Sequence, residues 1–173
     1  MTCSFTGHRP KKLVGFGSEA YIGTLCELLK KEIVLNIHGG VDTFMSGMAL
    51  GIDMLAAKCV LELKERTEFK EIKLVAVIPC NGQERLWNER DKLEYQKILS
   101  ECDEKTVLSD KYTSSCMHIR NRYLVDHADC MIAVWDGSPG GTGNTVALAA
   151  KKGVPVTVID PRTLTSERPI TLF

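Results

Sequence analysis

The chain contains the stretch SPGGTGNT, residues 138–145, shortly after the apolar run at residues 130–135. The run is typical of a buried β-strand, and residues 144–152 have the composition of a short helix. Three glycines within four positions, between a strand and a helix, leave backbone N–H groups uncovered at the positive end of the helix dipole. The stretch therefore predicts a strand–turn–helix unit whose turn binds phosphate or another anion.

A second turn of small residues has the same setting. The sequence SGMALGID, residues 46–53, follows a strand-like run at 41–45 and opens a predicted helix at about 49–66. Two such turns in one chain indicate a nucleotide-sized ligand. For this second turn a purely structural role fits equally well, because Gly47 and Gly51 suit close packing of a helix on a sheet and Ser46 suits a helix N-cap.

The composition excludes several classes of protein. Lys+Arg and Asp+Glu both number 22, so the formal net charge is zero and a large non-specific nucleic-acid surface is not expected. Seven cysteines without a Cys-x-x-Cys pair predict reduced thiols and no metal site. No apolar run approaches the ~20 residues that span a bilayer. We therefore expect a cytoplasmic protein with no membrane contact, no metal and no tightly held cofactor.

Apolar runs alternate with amphipathic helical segments along the whole chain. This alternation predicts an α/β fold, in which a mainly parallel sheet of about six strands carries helices on both faces, as one domain spanning residues 1–173. The tail from Pro161 has little periodicity and is predicted to be a surface strap. The predicted strands are residues 2–6, 41–45, 73–78, 105–108, 129–135 and 154–159, and the predicted helices are about 18–34, 49–66, 83–100, 115–127 and 144–152.

Ligands of such sheets bind beyond the carboxyl ends of the strands. The turns after strands one, two, three and five share that edge, and the chemically distinctive residues of this chain lie in those turns. The predicted nucleotide-binding residues are Gly7, His8, Arg9, Ser46, Gly47, Asp53, Trp87, Arg120, Gly140, Gly141, Thr142, Gly143, Asn144 and Thr145.

Each candidate side chain could also have a purely structural role. Arg9 and Arg120 are predicted to hold phosphate with two hydrogen bonds each, but they could instead form surface salt bridges. Asp53 could bind ribose hydroxyls or simply complement a helix dipole. Trp87 could stack on a base or pack against the third strand, and His8 could be a buried structural histidine.

Five motifs in order resemble one protein family. Individually each motif is weak, but together they cover nearly the whole chain and are similar to the YpsA-like branch of the SLOG superfamily. The motifs are Thr6-Gly7-His8-Arg9-Pro10; SGMALGID at 46–53; Pro79, Gln83 and Trp87; Met117-His118-x-Arg120 running into Arg120-Asn121-Arg122-Tyr123-Leu124-Val125; and Pro139-Gly140-Gly141-x-Gly143. The resemblance implies a Rossmann-like fold, a nucleotide ligand and a possible homodimer.

The superfamily also contains cytokinin-activating phosphoribohydrolases and a DNA-processing protein that escorts single strands. In the phosphoribohydrolase motif a glutamate occupies the position of Ala147, and a threonine occupies that of Asn144. Because that carboxylate is missing, the resemblance favours a binding protein over an enzyme.

Three functions follow from the resemblance. The first is a sensing or regulatory protein that binds an adenine nucleotide or an ADP-ribose-like ligand. The others are a nucleotide hydrolase of the phosphoribohydrolase type and a single-stranded DNA-binding protein. An aromatic content of 6% and a neutral net charge count against DNA, since such grooves combine positive potential with stacking rings.

Overall fold

The computed structural model describes residues 1–13 and 15–169. Within them a seven-stranded sheet is flanked by five α-helices. The strands are β1 (Thr2–Gly7), β2 (Thr43–Ser46), β3 (Lys73–Ile78), β4 (Glu104–Val107), β5 (Cys130–Val134), β6 (Val156–Asp160) and β7 (Thr165–Glu167). The helices are α1 (Glu19–His38), α2 (Ile52–Lys64), α3 (Glu89–Glu101), α4 (Cys116–Asp126) and α5 (Gly141–Lys151), and Pro10–Lys12 forms a 3-10 turn.

The strand order is β4-β3-β2-β1-β5-β6-β7, and every pair except β6–β7 is parallel. This order confirms the predicted α/β fold. The chain builds outward from β1 to β4 and then returns to place β5 on the other side of β1. The direction in which strands are added therefore reverses between β1 and β5, which is where open α/β sheets bind their ligands.

The helices cover both faces of the sheet. Helices α1, α2 and α3 pack together on one face, and α4 and α5 pack together on the other. Nine residues of α2 are buried, because this helix lies between its two neighbours and the sheet. The aromatic rings of Phe5 and Phe44 stack with centroids 5.9 Å apart in the core beneath it. None of the helices in the described ranges combines the length and apolar character that crossing a membrane requires.

The tail after Pro161 differs from the predicted strap. Residues Thr165–Glu167 form an edge strand antiparallel to β6. A three-residue strand is too short for an alternating pattern to reveal it. Hydrogen bonds to α1 hold this strand in place. The buried Glu32 carboxylate of α1 accepts from Ser166 Oγ at 2.8 Å and from Arg168 Nε at 2.8 Å.

Several helix ends also differ from the prediction, and α2 is shorter at both ends, Ile52–Lys64. Helix α3 begins at Glu89 instead of residue 83, because the Asn88 side chain accepts a hydrogen bond from the Asp91 N–H at 2.8 Å and caps the helix. Helix α5 begins at Gly141, three residues earlier than predicted, and α1 continues to His38. Gly141 and Gly143 therefore lie in the first turn of α5 itself, and Gly140 is its N-cap.

Candidate functional site

A cavity of about 360 Å³ opens at the carboxyl edge of the sheet, where β1 and β5 are neighbours. Four segments line it: the turn after β1, the start of α2, one face of α4 and the first turn of α5. The lining residues are Thr6, Gly7, His8, Arg9, Lys12, Ala49, Asp53, Met117, His118, Arg120, Asn121, Leu124, Gly141 and Thr142. The structure thus brings together the predicted residues of the β1 turn, Asp53, Arg120 and the α5 turn.

The start of α5 presents uncapped backbone N–H groups. Gly140 adopts φ 142°, which favours glycine, and no side chain caps the helix. The first intrahelical hydrogen bond joins the Asn144 N–H to the Gly140 carbonyl at 2.9 Å. Within the described ranges no protein acceptor meets the three preceding N–H groups, and no acidic residue lies in this first turn. Its electrostatics therefore favour an anion.

The remaining residues of this turn shape it. A Cβ on Gly143 would lie 3.0 Å from the Ser138 carbonyl oxygen, so Gly143 permits close packing. Thr145 is buried and its Oγ1 donates to the Gly141 carbonyl at 2.8 Å, which places this predicted ligand residue inside the helix turn. Asn144 is exposed and lies in an adjoining groove of about 150 Å³, together with His118 and Arg122.

Two cationic side chains flank the α5 turn from the β1 side. Arg9 is exposed and makes no ion pair with any residue of the described ranges. Lys12 donates from Nζ to the Pro139 carbonyl at 2.9 Å, which sets its charge beside the glycine turn. Lys12 was not among the predicted residues. Its place beside Arg9 follows from the spacing of the two residues. Pro10 starts a 3-10 turn, and in such a turn residues three positions apart, here Arg9 and Lys12, lie one above the other.

Arg120 is only 4% exposed, and two of its three nitrogens bind inside the protein. Nη1 donates to the Gly47 carbonyl and lies 3.4 Å from Asp53 Oδ2, while Nε donates to Asn121 Oδ1 at 2.7 Å. Of the three guanidinium nitrogens, only Nη2 has no partner among the described residues, so only Nη2 is available to a ligand. The predicted two-bond fork on phosphate is therefore not provided by Arg120, whose guanidinium holds the 46–53 turn.

Burial dominates the electrostatics of this ion pair. It raises the pKa of Asp53, an effect that Arg120 opposes, and it lowers the pKa of Arg120, which Asp53 opposes. The Asp53 carboxylate also accepts the Ala49 N–H at 3.3 Å. Asp53 borders the cavity, and the contacts that its carboxylate makes with Arg120 and with the Ala49 N–H both fall on Oδ2.

The 46–53 turn is braced internally. Ser46 has no exposed surface; its Oγ donates to the Asp53 carbonyl at 2.8 Å and accepts the Met48 N–H at 3.1 Å. A Cβ on Gly47 would lie 2.7 Å from Asp53 Oδ2, and one on Gly7 would lie 2.5 Å from Ile52 Cβ. Ser46, Gly47 and Gly7 therefore serve close packing and internal hydrogen bonding in the structure.

Trp87 lies outside the cavity. Its ring is half-buried and packs edge-on against Tyr95, with centroids 5.3 Å apart, under α3. Of the two interpretations of Trp87, the structure supports packing. The residues that face the cavity instead are Met117, His118 and Asn121, which lie in or beside the motif Met117-His118-x-Arg120 but were not among the predicted residues.

His8 forms a buried pair with Asp136. The ring is 3% exposed, and Nε2 lies 2.7 Å from Asp136 Oδ1. Ser138, whose backbone N–H donates to the same oxygen at 3.0 Å, holds the pKa of Asp136 well below its usual range, and His8 adds to the effect. The pair links the ends of β1 and β5 directly beneath the α5 turn. Asp136 was not among the predicted residues.

Carboxylates are scarce around the cavity. Within the described ranges Asp53 is the one carboxylate in the lining. Ala147 is exposed on α5 and belongs to neither the cavity nor the adjoining groove. In this part of the chain no free carboxylate is therefore placed to stabilise an oxocarbenium-like state at the site.

Comparison with models of protein families shows which family contains this chain. A family model described as the YspA SLOG family, YpsA, matches residues 3–164. The chain belongs to this family. The match spans both glycine turns and every cavity segment, so the YpsA resemblance of the motifs is confirmed.

Known proteins resemble this chain in sequence or in fold. The SPbeta prophage-derived protein YoqJ of Bacillus subtilis (strain 168) is 34% identical over 120 residues, which is 62% of this chain and 69% of that protein. DNA processing protein A (DprA) of Streptococcus pneumoniae superposes with a TM-score of 0.61 at 19% identity, over 92% of this chain and 50% of DprA. DprA of Helicobacter pylori, described for its single-stranded DNA binding mode, gives 0.57 at 18% identity, over 92% and 65%. The chain spans about half the length of pneumococcal DprA, and at these identities the likeness shows a shared Rossmann-like fold.

Proposed function

We propose that this YpsA-family chain binds a nucleotide, with a phosphate against the first turn of α5 and with Arg9 and Lys12 supplying positive charge. The single observation that carries the proposal is that uncapped α5 N–H groups meet an arginine and a lysine in one cavity, neither of them in an ion pair with a described residue. Helix N-termini and cationic side chains both favour phosphate, and here they act on the same space.

The size of the site suits a nucleotide. A cavity of about 360 Å³ lies within the ~300–1,000 Å³ range of small-molecule sites, and the adjoining groove adds about 150 Å³ beside Arg122 and Asn144. A ligand with two phosphates could occupy both. We therefore propose an adenine nucleotide or an ADP-ribose-like ligand, and a sensing or regulatory output in the cytoplasm, with the homodimer that the family resemblance implies.

Ligand binding is expected to raise the melting temperature. At a free ligand concentration ~100 times the dissociation constant, binding adds ~2.7 kcal/mol to the free energy of unfolding. For a chain of this length that corresponds to a shift of roughly 5–10 °C. Differential scanning fluorimetry with AMP, ADP, ATP, NAD and ADP-ribose at millimolar concentration measures it.

The matched control is Arg9→Ala, which removes an exposed cation and disturbs no described ion pair. The variant should melt like the parent without ligand and lose most of the ligand-induced shift. The proposal fails if no nucleotide of the panel shifts the parent and calorimetry at the same concentrations also detects no binding.

Single-stranded DNA is the second candidate, because the two DprA chains share this fold and one is described by its DNA binding. In that function a phosphate backbone would follow Arg9, Lys12 and Arg122 along the cavity and its groove. Against this, the net charge is zero, and the described lining contains no Phe, Tyr or Trp ring on which a base could stack.

We expect no submicromolar affinity for a short single strand at physiological salt. Each phosphate that a cation neutralises releases counterions, so DNA binding along the groove would weaken steeply as salt rises. Fluorescence anisotropy with a labelled oligonucleotide over a salt series decides the matter. Tight binding whose affinity falls with salt as steeply as several phosphate contacts require would favour DNA over a small nucleotide. Arg122→Ala should then weaken that binding.

A further inference from the structure

The His8–Asp136 pair has the geometry of a general base held by a carboxylate. Asp136 is placed by the Ser138 N–H and engages Nε2 of the ring at 2.7 Å. Nε2 also lies 3.4 Å from the Asp136 backbone nitrogen, but its contact with the carboxylate oxygen is much the shorter of the two. With Nε2–H donating to that oxygen, the ring is held in one tautomer and the lone pair remains on Nδ1. In the described ranges no hydrogen-bond partner meets Nδ1, and His8 is a lining residue of the cavity although it is 3% exposed.

The charges around His8 favour phosphorus as the electrophile. Its neighbour Arg9 and the nearby Lys12 supply the cations of the proposed phosphate site, and Asp136 lies on the segment that leads into the α5 turn. The reactive centre nearest to Nδ1 in a bound nucleotide would thus be phosphorus. The glycosidic carbon would lack a free carboxylate, because Asp53 is held by Arg120 and the Ala49 N–H.

We propose that His8 is a general base that activates water for hydrolysis of the pyrophosphate bond of the bound nucleotide, with Asp136 as its positioning residue. This inference rests on the proposed function, since it needs the ligand phosphate against α5. It adds a chemical activity to a site argued so far only to bind.

The step balances with water as the co-reactant. The water oxygen forms a bond to one phosphorus, one water proton moves to His8 Nδ1, and the other stays on the new phosphomonoester. The bond from that phosphorus to the bridging oxygen breaks, and its electron pair stays on the departing phosphate. Arg9, Lys12 and the α5 N–H groups stabilise the charge that develops on the phosphoryl oxygens. ADP-ribose and water would give AMP and ribose 5-phosphate.

The test incubates the full chain with ADP-ribose in ¹⁸O-labelled water and separates the products by chromatography with mass spectrometry. We expect AMP and ribose 5-phosphate, with one ¹⁸O atom in one of them. His8→Gln should lower turnover about a hundredfold or more, the usual contribution of a general base, while calorimetry still detects ADP-ribose binding. His38→Gln, which changes an exposed histidine outside the cavity, should leave turnover as it is in the parent.

A second variant separates catalysis from folding. If His8→Ala is inactive but folded by circular dichroism, added imidazole should restore part of the turnover, which a purely structural histidine would not allow. Binding of ADP-ribose without hydrolysis would overturn this inference and leave the proposed function standing. Release of free adenine would support the phosphoribohydrolase chemistry instead, and failure of every nucleotide to bind would overturn both proposals.

Discussion

Arg120→Ala is expected to destabilise the fold by about 3–5 kcal/mol, the cost of leaving one member of a buried ion pair alone. The substitution strands the buried Asp53 carboxylate and removes the donors to the Gly47 carbonyl and to Asn121. Urea denaturation followed by circular dichroism measures the loss. Arg122→Ala is the matched control, because Arg122 is exposed on the same helix and should change stability by less than about 0.5 kcal/mol.

The stability that Arg120→Ala loses should also depend on pH, and it should be smaller at lower pH. Burial already raises the pKa of Asp53 above its unfolded value, and Arg120 opposes that rise. Without Arg120 the folded-state pKa rises further, so ionised Asp53 costs the variant stability at neutral pH and protonation relieves the cost. The difference between Arg120→Ala and the parent should therefore shrink as pH falls from about 7 towards 5. Equal stabilities of Arg120→Ala and Arg122→Ala would contradict the brace assigned to Arg120.

Gly141→Asp is expected to lower nucleotide affinity about a thousandfold. A carboxylate ~4 Å from the ligand phosphate costs about 4 kcal/mol at an effective dielectric constant of ~20. The fold should tolerate the change. Gly140, not Gly141, has the positive φ, and a Cβ on Gly141 meets no atom within 4 Å. Isothermal calorimetry with the nucleotide that shifts melting most gives the affinity.

Gly141→Asn is the control for this experiment, since it has the same shape as aspartate without the charge. We expect Gly141→Asn to bind within a few-fold of the parent, and Gly141→Ala to bind like the parent. Unchanged affinity in Gly141→Asp would place the phosphate away from the first turn of α5. A loss of affinity as large in Gly141→Asn as in Gly141→Asp would show that space, and not charge, limits the ligand.

Local patterns predicted more of the fold than of the site. Continuous apolar runs such as residues 73–78 identify buried parallel strands, and the strand–turn–helix spacing places the glycine turns at one edge of the sheet. The start of α3 was predicted too early because the residues from Gln83 onward have helical composition, whereas the Asn88 cap decides where the helix begins. Thr165–Glu167 carries no period at all, since its strand exists through pairing with β6.

At the site, residue type predicted chemistry but could not assign partners. Arg9 and Arg120 have the same side chain and both reach the cavity, yet one is exposed and the other is 4% exposed against Asp53. Ser46 and Thr145 were plausible phosphate ligands, but their hydroxyls bond to nearby backbone carbonyls. Lys12 has the sequence context of a solvated lysine, although it reaches Pro139, which lies 127 residues away in the sequence.

The sequence by itself determined the α/β class, the strand–glycine–helix units and the family, because apolar periodicity and small-residue turns are local properties that survive without knowledge of contacts. Only the tertiary structure decided the strand order, the division of labour between Arg9 and Arg120, and the pairing of His8 with Asp136. Those features depend on contacts between residues that lie far apart in the sequence. Burial and partner geometry, which set whether a charge is free for a ligand or used within the protein, arise only when β1 and β5 come together.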